Sequence, residues 1–154
     1  MISTIIKEEL EKYITNKNNI TLYHYSSLNQ DEILLSPDKF GKNYFTKNDE
    51  RTSGKKRIFF YVTPEEKERF FMNSNLYKAD VNVNEIYDLK KDYNNFIYTA
   101  KGNNNGALSF DMLFEMILQN GYKGIFYMVS GRSIVIWFEQ ILVTKVDKET
   151  STVR

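Results

Sequence analysis

The stretch GIFYMVSGRSIVIWF, residues 124–138, decides the fold class that the sequence predicts. Runs of β-branched and aromatic residues at 125–129 and 133–138 flank Ser130 and Gly131. A Ser-Gly pair between two such runs is a signal for a tight hairpin. Trp137 alternates with Val135, which indicates a core position for its indole ring. The sequence therefore predicts two antiparallel strands joined by a short turn.

Other parts of the chain alternate between strand and helix patterns. Apolar residues at odd positions from 77 to 83 alternate with polar ones, which is typical of a half-buried strand at 76–83. Ser109 is a suitable cap for a helix that ends at Gly121. Further strands are predicted at 20–25, 57–62 and 141–146, further helices at 3–15 and 63–73, and connecting segments at 29–43, 47–56 and 101–106. Together these elements predict a mainly antiparallel α+β fold.

Length and composition narrow the classes of function. The 154 residues suit a single domain over 1–154, with an N-terminal helix at 1–19, a core at 20–146 and a flexible tail at 147–154. Absence of cysteine excludes disulfide frameworks and Cys-based metal sites, and a single histidine excludes a His-rich metal site, so we expect no metal. The net charge of +1 gives no strong signal for nucleic-acid binding. No run approaches the length of a membrane span, and we expect a cytoplasmic protein without membrane contact.

Four segments stand in a particular order along the chain. They are LYHYS at 22–26, FGKNYFT at 40–46, LYKADVNVNEIYDL at 76–89, and NGYKGIFY followed by IVIWFEQI over 120–141. Their order and spacing resemble the ADP-ribosyltransferase fold family, in which a strand ending in histidine comes first and a hairpin ending in a "vvFDxxQI"-like strand comes late. The last segment is most similar to small ADP-ribosyltransferase-like proteins of phages and mobile elements. The resemblance implies split antiparallel sheets around a cleft with flanking helices.

The same resemblance implies a binding site for NAD, used as a substrate. His24 would match the histidine that hydrogen-bonds the adenosine ribose, and Arg57 would hold the pyrophosphate. The aromatic ring that stacks on nicotinamide would be Phe60 or Tyr61, of which at most one can face the pocket because neighbours on a strand point to opposite sides. Further residues that the resemblance places along NAD are Tyr25, Ser26, Asn43, Tyr44, Phe45 and Thr46.

The catalytic carboxylate is where the sequence departs from the family pattern. Cleavage of the nicotinamide–ribose bond passes through an oxocarbenium-like state, which a nearby carboxylate stabilises. The family's glutamate aligns with Arg132 or Ser133, and neither is a carboxylate. Glu139, about six residues later, could serve instead, or Asp111 or Glu115 on the helix after Ser109 could. The third alternative is binding without transfer.

Two functions therefore stay open at the level of sequence. The first is an NAD-binding mono-ADP-ribosyltransferase-like protein that modifies a macromolecular acceptor, expected to be a protein, as a phage-encoded effector against host or defence components. The second is a catalytically inactive module of the same fold that binds a nucleotide or a protein partner. A histidine between aromatic residues at a strand end is more often structural than functional. We therefore assign His24 to a binding site only because the other three segments accompany it.

Overall fold

A computed structural model describes residues 10–39, 56–64, 75–129 and 131–146. The strands with described bounds are β1 (Ile14–Asn16), β2 (Asn19–Ser26), β3 (Glu32–Leu35), β4 (Ile58–Tyr61), β5 (Asn75–Asn82), β6 (Ile86–Asp88), β7 (Gly124–Val129), β8 (Arg132–Trp137) and β9 (Ile141–Lys145). The helices with described bounds are α1 (Phe96–Gly102) and α2 (Phe110–Gln119), and short 3-10 turns cover Pro37–Lys39 and Val83–Glu85. The class is α+β, as the sequence predicts.

The described strands form one sheet in the order β3-β9-β5-β2-β4-β8-β7-β6. Neighbouring strands are antiparallel except β6 and β7, which are parallel and are connected through α1 and α2. β5 pairs with β2 along its whole length, so β1 and β4 share the other edge of β2. The joint between β2 and β4 consists of one register pair, Tyr23 with Tyr61. The resemblance implies split sheets. The described strands instead form one continuous sheet, although its two parts meet only at this joint.

The sheet has an apolar core on each face, as alternation along its strands requires. In β8, Val135 and Trp137 belong to the first core, whereas Ile134 and Ile136 belong to the second. The second core includes residues of both helices, with Phe114 and Ile117 of α2 almost fully buried. The helices therefore cover one face of the sheet.

Most of the predicted elements are confirmed within the described residues. The strands at 20–25, 57–62, 76–83 and 141–146 are observed as β2, β4, β5 and β9 with small differences at their ends. The hairpin of β7 and β8 pairs Val129 with Arg132, and Gly131 has φ +81°, as a tight turn requires. The α2 helix is capped by the Ser109 hydroxyl, which accepts a hydrogen bond from the Met112 N–H at 3.3 Å.

Three other predictions about secondary structure need correction. The helix predicted at 3–15 is wrong at its end, because Ile14–Asn16 is the strand β1 and pairs with the start of β2. The connection predicted at 29–43 contains β3, which pairs with β9. The stretch before the loop predicted at 101–106 forms α1, which extends to Gly102. The helix predicted at 63–73 and the tail at 147–154 lie almost wholly outside the described residues.

Candidate functional site

His24 is held in one orientation beside the joint between β2 and β4. Its side chain is 8% exposed, and its ring centroid lies 5.5 Å from that of Phe60. His24 Nδ1 lies 2.9 Å from the Phe59 carbonyl oxygen. Because a carbonyl oxygen only accepts, Nδ1 must carry the proton in this hydrogen bond. Nε2 is then the acceptor nitrogen of the neutral ring.

The charge state of His24 follows from the same surroundings. Burial lowers the pKa of His24 below its usual value of 6.5, and the hydrogen bond to the Phe59 carbonyl oxygen opposes this shift without cancelling it. The ring is therefore neutral near pH 7. A neutral histidine that donates through Nδ1 can accept a hydrogen bond from a hydroxyl group through Nε2, as a contact with ribose requires.

The neighbouring candidates on β2 are also held by contacts within the protein. Tyr25 is 8% exposed, and its hydroxyl donates to the Pro64 carbonyl oxygen at 2.5 Å. Its ring meets that of Tyr61 edge-on, with centroids 5.9 Å apart. The Ser26 hydroxyl accepts a hydrogen bond from the Leu28 N–H at 3.1 Å and so stabilises the end of the strand.

Arg57 precedes β4 and is only 3% exposed. Its guanidinium carbon lies 5.5 Å from the centre of the Phe59 ring, a cation–π arrangement. Burial lowers the pKa of Arg57, and electrostatic interactions with Tyr127 and Asp111 oppose that shift. Arginine remains protonated in proteins, so this is a buried positive charge on the β4 side of the joint.

The predicted NAD contacts are close in the fold but divide between the two faces of the sheet. His24 packs against Phe60, which belongs to the first core, whereas Tyr25 packs against Tyr61, which lies against the second. Arg57 is on the second side because it covers Phe59. Phe60 is fully buried, so of the two aromatic candidates only the half-buried Tyr61 offers surface to a ligand. The remaining candidates Asn43, Tyr44, Phe45 and Thr46 lie outside the described residues.

Glu139 lies at another part of the molecule's surface. Its carboxylate is 3.9 Å from Lys123 Nζ, and its side chain is 58% exposed. Lys123 Nζ is also 3.2 Å from the carboxylate of Glu85, at the end of the Val83–Glu85 turn. Arg132 and Ser133, at the position of the family's glutamate, begin β8 beside the hairpin turn. Glu139 is therefore part of a solvent-exposed ion-pair group.

A cavity that sequence reasoning missed opens between β1, β6 and the turns beside them. Its volume is about 320 Å³. The residues that line it come from three distant parts of the chain, 10–18, 83–94 and 122: Leu10, Glu11, Ile14, Asn18, Val83, Asn84, Ile86, Tyr87, Asp88, Tyr93, Asn94 and Tyr122. None of the predicted NAD contacts is among them. A local motif could not identify this cavity, because it depends on β1, which lies partly in a predicted helix, and on the chain around Tyr93, where no element is predicted.

Tyr87 and Asp88 form the rigid wall of this cavity. The Tyr87 hydroxyl donates to the Asp92 carboxylate and accepts from the Asn94 N–H at 3.0 Å. Its ring meets that of Tyr122 edge-on at a centroid distance of 5.1 Å. Asp88 is 8% exposed, and its carboxylate accepts a hydrogen bond from the Lys90 N–H at 3.0 Å.

Comparisons of the chain with protein-family models, curated proteins and solved structures found no match. Within the described ranges, no helix is long and apolar enough to cross a membrane. The described residues also contain no cluster of three or more histidine, aspartate or glutamate side chains that could hold a metal ion.

Proposed function

We propose that this protein is an ADP-ribosyltransferase-like protein that binds NAD at the joint between β2 and β4. The observation that supports this most is the neutral His24, whose Nδ1–H is fixed on the Phe59 carbonyl oxygen. In this tautomer Nε2 accepts a hydrogen bond from a ribose hydroxyl. The arrangement agrees with the role that the sequence resemblance gives to this histidine.

The arrangement of the aromatic residues limits which other contacts we assign. Tyr61 is half-buried, but it packs against the second core, on the face of the sheet opposite to His24, so we assign it no contact with a ligand bound at His24. Phe60 instead supports the His24 ring from within the core. We assign no pyrophosphate contact to Arg57, because its guanidinium covers Phe59 on the other face of the sheet.

Transfer of ADP-ribose to a protein acceptor needs a carboxylate beside the reacting ribose. Glu139 is one carboxylate that the sequence offers, and its exposed position next to Lys123 favours the second candidate function, a module that binds the nucleotide without transferring it. Both functions share the contact with His24. They differ in whether nicotinamide is released.

Calorimetric titration with NAD tests the shared contact. We expect His24→Leu, which keeps the bulk of the ring but removes its acceptor, to weaken NAD binding by about 2- to 10-fold, the value of one hydrogen bond. His24→Gln, which keeps an acceptor, should lose less. Tyr98→Ala is the surface control, because Tyr98 is 80% exposed on α1, and it should bind NAD as the wild type does.

Release of nicotinamide from labelled NAD separates the two functions. Release by the wild type, lost in Glu139→Gln with NAD affinity unchanged, would support transfer through Glu139. Binding without release or labelling of any protein would support the module. No binding of NAD at millimolar concentration by a folded wild type, or equal binding by His24→Leu, would overturn the proposal.

A further inference from the structure

The charged side chains that line the cavity between β1 and β6 are negative. Its charged lining residues, among those that the structure describes, are Glu11 and Asp88, both acidic. The rest of the lining consists of three tyrosines, three asparagines and aliphatic side chains. Anionic ligands such as NAD would be repelled here, because no described lysine or arginine lines the cavity to pair with a phosphate. This cavity is therefore separate in its chemistry from the proposed NAD site.

Asp88 is the buried charge of this cavity. The residue is 8% exposed, and a buried carboxylate needs hydrogen bonds or an opposite charge, because removing it from water costs free energy. Burial raises the pKa of Asp88, while the positive charges of Lys91 and Lys90 and their backbone N–H groups lower it. The balance remains upward, so the neighbouring lysines do not fully offset the cost of burying this carboxylate. A cation in the cavity would further favour the charged form of Asp88.

The mouth of the cavity also carries negative potential. Tyr93 lines the cavity and is 62% exposed. Desolvation, followed by the negative charges of Asp88 and Glu11, raises the pKa of Tyr93. Both carboxylates therefore act on the same position in the cavity, although they come from distant parts of the sequence.

The aromatic wall is suited to the same kind of ligand. The faces of tyrosine rings attract cations that lie within about 6 Å of the ring centre. Tyr87 is fixed by its hydroxyl contacts with Asp92 and Asn94, and Tyr122 packs edge-on against it. Such a wall exists before a ligand binds, so little ordering of side chains would oppose binding.

We propose that this cavity binds an organic cation, an ammonium or guanidinium group on a short aliphatic chain. Asp88 and Glu11 provide the opposite charge, and Tyr87, Tyr93 and Tyr122 provide the aromatic walls. A volume of about 320 Å³ is at the lower end of ligand pockets and suits one small molecule or one basic side chain. The ligand is therefore either a free small amine or guanidine, or a lysine or arginine side chain of a protein.

Calorimetric titration with agmatine, which carries both a guanidinium and an ammonium group, tests the proposal on the full chain. Asp88→Asn keeps the shape and the acceptor for the Lys90 N–H but removes the charge, and we expect it to weaken agmatine binding by about tenfold or more. Glu11→Gln, at an exposed position where folding is not at risk, should weaken binding about threefold. Glu85→Gln is the matched control, because Glu85 pairs with Lys123 and does not line the cavity.

Two further ligands distinguish the sources and the role of charge. A capped Gly-Arg-Gly peptide that binds as agmatine does identifies a protein side chain as the ligand, whereas agmatine binding without peptide binding identifies a free small cation. Butylurea, a neutral analogue, should bind at least about tenfold more weakly than agmatine. The proposal is overturned if agmatine does not bind at millimolar concentration, if butylurea binds equally well, or if Glu11→Gln and a folded Asp88→Asn both bind as the wild type does. NAD binding is measured separately and does not affect this outcome.

Discussion

The stability of this protein should decrease as the pH falls below about 6.5, and His24 should account for the change. Burial holds the pKa of His24 in the folded state below 6.5, the value expected in the unfolded chain. In the range between these two values the unfolded state binds more protons, so the free energy of unfolding rises with pH there. The contribution of His24 is fully present above about pH 6.5 and is lost as the pH falls through the folded-state pKa.

The size of the effect is bounded because the chain has one histidine. One proton gives a slope of at most about 1.4 kcal/mol per pH unit. By about pH 5.5 the fold should therefore have lost up to about 1.4 kcal/mol relative to about pH 7.5. For a chain of 154 residues this corresponds to a decrease in melting temperature of about 2–5 °C.

Urea unfolding of the wild type and of His24→Gln, measured from about pH 8 to about pH 5, isolates the contribution of His24 to the free energy of unfolding. Glutamine is neutral throughout and can still donate to the Phe59 carbonyl oxygen. Asp88, whose pKa is raised by burial, contributes stability that is lost as the pH rises above its usual value of 3.8, but it is common to both proteins and cancels. A difference in unfolding free energy that stays constant with pH would show that His24 is not a buried neutral base.

The other predictions concern packing and capping. Gly124→Ala should cost about 1–3 kcal/mol, because its new Cβ would lie 2.7 Å from a buried ring carbon of Trp137. Gly102→Ala at the end of α1 is the matched control, with no atom within 4 Å, and equal melting temperatures of the two variants would contradict the clash. Ser109→Ala should cost about 0.5–2 kcal/mol by removing the hydroxyl that accepts from the Met112 N–H. Ser109→Asp should keep the cap, and a melting temperature as low as that of the alanine variant would refute this role.

The elements that the sequence predicts well are those with signals inside a short window. The hairpin of β7 and β8 combines two apolar runs with a glycine that adopts positive φ. α2 has a serine cap, an apolar stripe and a glycine stop, and each of these is a local preference. In such segments the tertiary contacts agree with the local signals, so the bounds differ by only one or two residues.

The elements that the sequence misses are stabilised by pairing with another strand or by a side chain that lies outside the element. β1 is three residues long, and pairing with the start of β2 decides its structure against a helical pattern. α1 has no side-chain cap from Asn95, its N-cap residue. Instead the Asp92 carboxylate accepts hydrogen bonds at 2.9 Å from the N–H groups of Phe96 and Ile97. A capping residue so far ahead of the helix gives a weak sequence signal.

The candidate sites also combine features that a local sequence pattern predicts with features that depend on the folded chain. The predicted NAD contacts lie close together because β2 pairs with β4. Their division between the two faces of the sheet depends on the register of that pairing. One residue of shift would exchange the faces, and a single sequence does not fix this register. The cavity between β1 and β6 depends on three distant parts of the chain that come together only in the folded protein.

Because only one register pair joins β2 to β4, the described sheet consists of two units that meet at this joint. One unit contains β1, β2, β3, β5 and β9, and the other contains β4, β6, β7 and β8. Besides the Tyr23–Tyr61 pair, His24 with Phe60 and Tyr25 with Tyr61 connect these units through their rings. A nucleotide bound at His24 would stabilise its ring contact with Phe60, and would therefore couple the local opening of one unit to that of the other.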